Sequence, residues 1–395
     1  MPPNPQFSYY LYNLNTPISQ ENTAWRQPLP LSRHLCGENA DNSISQGDYF
    51  LATRHFLETN DFETVSIALG QCLNKRVTPA DITDMRVCLA KHGEFYHPAR
   101  VEVAAGAQSA SFVLNVAVSG AGLRTIQEEY RSLKFLNDEF AHSFIPRVYH
   151  CGEFETTGRQ KLGLFLGDWL EGYHEFHLCA DSSGSAVHVR LWDGQARRSV
   201  LSTAQQTEIY RQAARIMAYY YNVETFEQIF AWHHAAGDFI ARVEEDAVDL
   251  KLIAVRRYAP LLKKQNNLEA GGADVEMMLQ TLLLFFLNLS IRMRLDRLDG
   301  VGDIVWADPF AVSATVEGFF EGLALKPSIP SLPDAIDRCF AYFLSVSSQE
   351  DLGDLCRAVA DTFDRRAPET VIVRQNLEAH ITSLTRSIQQ YLQPS

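Results

Sequence analysis

The sequence has no Cys-x-x-Cys pair, and its seven cysteines, at 36, 72, 88, 151, 179, 339 and 356, are odd in number. Neither a disulfide framework nor a structural zinc site of standard spacing fits that set, so reduced thiols in a cytoplasmic protein are expected. Long apolar runs are also missing. The longest, Met277 to Ile291, is broken by Gln280, Asn288 and Ser290, whereas a bilayer span needs roughly 20 residues. A buried core helix over 275–295 is expected there, and no membrane span. The opening residues, MPPNPQFSYYLYNLNTP, lack the basic stretch and apolar core of a secretory signal. Positive charge is scarce: 35 Lys and Arg against 48 Asp and Glu leave a net charge of −13. With no basic patch to grip a phosphate backbone, no nucleic-acid partner is expected. There is no repeat of fixed period and no low-complexity tract.

What is present is a chain of 395 residues, 46% hydrophobic, enough for two or three packed units. Residues 1 to about 45 are rich in Asn, Pro, Ser and Gln with scattered aromatics; they cannot bury a core alone and read as an arm or a strapped-on extension. Between Asp48 and Leu73 apolar residues recur at helical spacing, broken near Thr59-Asn60-Asp61, as two short helices would be. Then RVCLA, ARVEVAAG and SFVLNVAVS alternate in the manner of three successive antiparallel strands. Leu123 to Leu136 places Ile126, Tyr130, Leu133 and Leu136 on one stripe of a helix. Strand patterns return at RVYHCGEF and KLGLFLGDWL, and Cys179 to Leu201 reads as a polar excursion with a hairpin turning at Trp192-Asp193-Gly194. From Ser202 the pattern is mainly helical, with strands again at DFIARVEED and VDLKLIAVRRY.

This order of three strands, a helix with a central acidic residue, two strands, a connector and a helical half opened by a His-rich loop resembles the protein-kinase-like fold, in particular its small-molecule, aminoglycoside-type phosphotransferase branch. LAKHGEFYHPARVEV is similar to a reduced glycine-rich loop with Gly93 at the turn. SFVLNVAVSGAGLRTIQEEYRSLKFL resembles the family's third strand and regulatory helix, which puts Glu129 at the helix glutamate and Asn115 at the strand lysine. LGLFLGDWLEGYHEF places Glu171-Gly172 at the hinge between lobes. IFAWHHAAGDFIARVEEDAVDLKLIAV resembles the catalytic loop and metal-ligand hairpin: His233 falls at the catalytic aspartate, Asp238 at the metal-binding asparagine and Ala254 at the metal-binding aspartate. The resemblance spans about residues 85 to 320.

It implies a two-lobed α+β fold: a five-stranded small lobe with one helix, a helical large lobe, and added helices at both ends. The corresponding boundaries are an N-terminal extension over 1–84, a small lobe over 85–178, a connector hairpin over 179–202 and a large lobe over 203–395. It also implies ATP and Mg2+ as cofactors and a ligand site between the lobes. Yet such a site works by charge and positioning, with a lysine on the phosphates, acidic groups on magnesium and an aspartate on the hydroxyl. Here those three positions are Asn115, Ala254 and His233. The expected function is therefore a degenerate, pseudokinase-like protein that binds a small ligand or a protein partner, with Gly93, Asn115, Glu129 and Glu171 lining the nucleotide position. The alternatives are an atypical phosphotransferase on a small hydroxylated substrate, with His233 as base and Asp238 as metal ligand, and an interaction protein with a closed cleft. Arg256 or Arg257 would supply the missing positive charge, against Asp303 or Asp308 as acidic wall. Blander readings stand beside these. Glu129 next to Glu128 fits a solvated helix face, and Arg292 and Asp296, at i and i+4, fit a surface ion pair. His174, His177 and Cys179 offer metal ligands without recognised spacing.

Overall fold

The structure, a computed structural model, describes the chain except for residues 1–4, 13–15, 31–43, 94, 157, 182–186, 193–197, 231, 233–236, 246, 261–273 and 394–395. It is a mixed α and β protein of two units, which divide between Glu171 and Gly172.

In the first unit the strands β1 (Gln6–Leu11), β2 (Ile82–Leu89), β3 (Ala99–Ala105), β4 (Gln108–Ala117), β5 (Val148–Glu155) and β6 (Lys161–Asp168) form one sheet in the order β1-β2-β3-β4-β6-β5. Its helices are α1 (Gln46–Glu58), α2 (Glu63–Leu73) and α3 (Gly120–Glu139). Strand alternation sends Val101 and Val103 of β3, Phe112, Leu114 and Val116 of β4, and Leu162, Leu164 and Leu166 of β6 to one face. There they meet Tyr49, Phe50, Leu57, Val65 and Leu69 of α1 and α2. The helix α1 starts at a capping box, Ser45 accepting from the Asp48 amide while Asp48 accepts from the Ser45 amide. The other face carries α3, which comes so close at Gly163 that a Cβ there would lie 2.7 Å from Ile126 Cγ2.

The sheet has six strands rather than the expected five. Residues 6–11 pair in parallel with β2 and add an edge, and Trp25 and Leu29 are buried in the same core. The strapped-on segment thus contributes backbone partners and four buried anchors, Leu11, Trp25, Leu29 and Ile44, which its polar composition concealed.

The second unit contains a three-stranded sheet of β7 (Glu175–Ala180), β8 (Val187–Trp192) and β9 (Arg198–Val200). The predicted turn at Asp193-Gly194 lies outside the described residues. After α4 (Thr203–Tyr220) come β10 (Glu227–Phe230), the hairpin β11 (Phe239–Glu244) and β12 (Ala247–Leu252), and β13 (Arg257–Pro260), which pairs with β10. Then follow α5 (Val275–Arg292), β14 (Leu295–Arg297), β15 (Ile304–Trp306), α6 (Phe310–Ala324), α7 (Ile336–Val346), α8 (Gln349–Asp361) and α9 (Pro368–Leu392). The pairs β10/β13 and β14/β15, three or four residues long, escaped the sequence pattern because so short a run shows no period.

Two glycines four apart, Gly318 and Gly322, let α6 pack on α4: a Cβ at Gly318 would come within 1.8 Å of the Arg211 carbonyl oxygen, and one at Gly322 within 2.4 Å of the Arg215 carbonyl oxygen. Phe285 and Phe286 of α5, Phe319 of α6 and Phe340 of α7 build an aromatic centre. By length and composition α5 is the one described helix apolar enough to cross a membrane, and half of it is buried within the protein. Its last residue, Arg292, does not pair with Asp296. The helix ends between them; Arg292 donates to Asn288 (3.1 Å) and covers the Phe363 ring, while Asp296 on β14 accepts the Leu178 amide at 2.8 Å.

One buried polar contact fixes a protonation state. Ser290 donates its single hydroxyl proton to the Leu287 carbonyl at 2.8 Å, so the contact to His380 at 3.1 Å is a donation from Nε2. The Nδ1 of His380 is then a bare lone pair with no partner. Burial, reinforced by nearby Arg294, pushes this imidazole down to about 3. Because the folded value lies below that of the unfolded chain, stability is complete above pH about 6.5 and falls as the pH drops toward 3, by up to about 1.4 kcal/mol per pH unit. Denaturant unfolding of His380→Leu between pH 6 and 4 should show a slope shallower than wild type by about that amount; an unchanged slope would contradict the assignment.

Candidate functional site

In the first unit the candidate residues gather around the β2–β3 connection, residues 90–98. Backbone bonds tie this loop at three points: the Ala90 amide to the Pro98 carbonyl (2.9 Å), the Gly93 amide to the Tyr96 carbonyl (2.9 Å) and the His97 amide to the Val116 carbonyl (2.8 Å). Gly93 is needed sterically, since a Cβ would stand 2.7 Å from the Tyr96 carbonyl oxygen. At Gly122, in the first turn of α3, a Cβ would meet the Phe95 carbonyl oxygen at 2.3 Å. The loop therefore lies directly on the helix.

That placement delivers Tyr96 to Glu129. The phenol donates to Glu129 Oε2 at 2.6 Å, and its ring meets Phe165 of β6 edge-on. Glu129 is 3% exposed, while its neighbour Glu128 faces solvent. The solvated reading of Glu129 is thus overturned: a helical turn that buries Ile126 and Leu133 takes residue 129 in with them. Asn115, half-buried on β4 opposite Phe165, is on the α3 face of the sheet. A neutral amide there supplies none of the positive charge that a lysine would bring to a carboxylate.

A second polar chain holds the same loop from the other side. His92 Nδ1 and His97 Nδ1 are 2.9 Å apart, and Tyr12 Oη bonds His92 Nε2. Tyr49 of α1 donates to the His97 carbonyl at 2.8 Å. A contact between two Nδ1 atoms holds only while one of them is unprotonated. Burial keeps His92 below the ordinary histidine range. None of Tyr12, His92, Tyr96 or His97 was flagged by the sequence, where an isolated Tyr or His in a loop carries no pattern.

Glu171 closes the unit. It is exposed and paired with Arg100 at 3.0 Å, and that arginine also reaches Glu102 and stacks on Trp169. A surface pair of this kind contributes little to stability. The next residue, Gly172, adopts φ +76, which favours glycine at the junction.

In the second unit, His233 and His234 lie outside the described residues. Around them, Trp232 is buried and Gly237 takes φ +87. Asp238, 5% exposed, begins the β11–β12 hairpin, its carbonyl accepting the Ile253 amide at 2.8 Å. Its carboxylate is gripped by both terminal nitrogens of Arg256, 3.0 Å from NH1 to Oδ2 and 2.6 Å from NH2 to Oδ1. The candidate metal ligand and the candidate anion-binding arginine are therefore partners in one bidentate pair. Arg257 is exposed on β13, Ala254 offers only a methyl group, and Asp303 and Asp308 are exposed in and beyond the β14–β15 hairpin. Among the described residues no group of three or more His, Cys, Asp or Glu side chains is placed to hold a metal ion. His174 forms a backbone bridge with Ala241, and His177 is buried against Trp192 and Gly300.

No model of a known protein family matches the chain, and no curated protein matches it. Among solved structures, one described as WaaP in complex with acyl carrier protein aligns at 10% identity, over 67% of this chain and 86% of that chain, with a TM-score of 0.30.

Removing the phenol hydroxyl should expose how much the loop depends on Glu129. Tyr96→Phe leaves a buried carboxylate without that donor, and the expected cost is about 1.5–3 kcal/mol of unfolding free energy in urea. A change below about 0.5 kcal/mol would mean that the bond does not fasten the loop.

Proposed function

We propose that the chain is a kinase-like protein without phosphoryl transfer, of the pseudokinase kind, whose first unit corresponds to the strand-rich lobe and whose second corresponds to the helical lobe. One observation carries the reading: Glu129, at the position of the family's helix glutamate, is held by Tyr96, while the position of the strand lysine is the neutral Asn115. In a working kinase that glutamate orients a lysine on the phosphates. Here a phenol of the same unit satisfies it, and the loop that would cover the nucleotide is tied to α3 instead.

The second unit supports the same conclusion. Magnesium would need Asp238 and an acidic residue at 254, but the Asp238 carboxylate is bound by Arg256 and residue 254 is alanine. These residues do not fit the metal. Loss of one preorganised electrostatic element costs roughly 10²–10³ in rate. Two such losses would take a kinase turning over at roughly 1–100 per second to below about one turnover per minute. Binding, of a small ligand or of a protein partner, is what such a framework retains.

Turnover decides the matter. With ATP, Mg2+ and a panel of small hydroxylated acceptors, phosphate transfer should stay at the buffer background, and His233→Ala should change nothing. A nucleotide that binds would still raise thermal stability, by about 2.7 kcal/mol at 100 times its dissociation constant. Magnesium-dependent transfer faster than about one per minute that His233→Ala abolishes would instead establish the atypical phosphotransferase.

A further inference from the structure

Two imidazoles meet in the β2–β3 loop. His92 Nδ1 and His97 Nδ1 lie 2.9 Å apart, with the rings nearly perpendicular. A single proton between the two nitrogens makes this a hydrogen bond. A proton on each leaves two N–H groups facing one another on rings of like charge. The contact is therefore conditional on pH, whatever else either ring touches.

The surroundings decide which ring gives way. His97 is 1% exposed and its backbone is held on both sides, the amide donating to the Val116 carbonyl and the carbonyl accepting from Tyr49. His92 is half-buried beside the exposed Lys91, with the ring and hydroxyl of Tyr12 against it. Tyr12 is itself anchored at the end of β1: its amide donates to the Leu89 carbonyl and its carbonyl accepts from the Cys88 thiol, both at 2.7 Å. The titratable groups about the pair are thus Tyr12, Cys88 on β2, Tyr49 on α1, and Lys91 and Tyr96 of the loop. Carboxylates of the adjoining elements are engaged, Glu102 of β3 with Arg86 and Arg100 and Glu129 of α3 with Tyr96. A second positive charge at the pair is then relieved by separation.

We propose that the His92–His97 contact is an acid-sensitive clasp: one shared proton closes it, and when both rings are protonated His92 swings away and residues 91–93 loosen while Tyr96 stays on Glu129. The inference stands on the loop's geometry and not on the kinase-like reading. Burial holds the folded His92 below the ordinary histidine range. The closed state is accordingly complete above pH about 6.5 and is lost as the pH falls through that lowered value.

Hydrogen exchange on the full chain, corrected for the intrinsic effect of pH, reads the clasp at the Gly93 amide, which donates to the Tyr96 carbonyl. Between pH 7.5 and 4.5 its protection should fall at least about tenfold, the change that one linked proton gives over one pH unit. The Val101 and Val103 amides of β3, a strand paired on both sides, should change less than about threefold. In His97→Asn the side-chain amide can donate to or accept from His92 in either protonation state, so Gly93 protection should stay flat with pH. Should that variant misfold, nitrogen-15 spectra of the wild-type histidine rings decide instead: uptake of the second proton should share its midpoint with the loss of Gly93 protection. Protection at Gly93 that holds to pH 4.5, that falls in step with β3, or that falls equally in His97→Asn overturns the proposal. So does a ring titration whose midpoint lies more than about one pH unit from that of Gly93.

Discussion

A carboxylate taken out of water must be met by a donor close at hand, and of the three buried carboxylates among the described residues, Glu129, Asp238 and Asp296, the first two stand at the candidate positions. Glu129 in the first unit and Asp238 in the second are nearly inaccessible, and desolvating an ionised carboxyl is costly unless hydrogen bonds compensate it. Each finds its donor within its own unit: Glu129 in Tyr96, Asp238 in Arg256. Much of the local architecture follows from those two requirements. The β2–β3 loop has to lie on α3 for Tyr96 to reach, and that contact needs glycine at 93 and 122. The residues after β12 have to return past the start of β11 for Arg256 to reach.

This satisfaction also decides the chemistry. A carboxylate that orients a lysine or binds a metal must keep its lone pairs available for that partner. In the proposed reading, a phenol or a guanidinium has taken those lone pairs, and the group stabilises the fold instead. The two replacements are not equivalent. Tyr96 provides one neutral donor, whereas Arg256 provides two charged ones that neutralise the carboxylate.

Much of the strand and helix order was legible because it depends on period. Val101, Val103, Phe112, Leu114 and Val116 alternate, and Ile126, Leu133 and Leu136 recur at helical spacing, so β3, β4 and α3 lie where the pattern puts them. The edge strand Gln6–Leu11 was not legible. Its contribution is backbone pairing with β2, which composition does not record. Nor was the Arg256–Asp238 pair, eighteen residues apart: each residue stood out alone, one as anion binder and one as metal ligand, and only the return of the hairpin joins them. Spacing misled at Arg292 and Asp296, where i and i+4 straddle the end of α5. Tyr96 gave no signal, since what matters is its reach across a loop to a helix 33 positions on.

The most direct measurement is a double-mutant cycle on the second pair, with Asp238→Asn, Arg256→Met and the two combined, following unfolding free energy in urea. Two side chains that satisfy one another in a sheltered site should be strongly coupled, so the singles together should cost at least about 1.5 kcal/mol more than the double variant. Additive costs, agreeing to within about 0.3 kcal/mol, would mean that Asp238 and Arg256 act independently and that the pair does not hold the start of the hairpin.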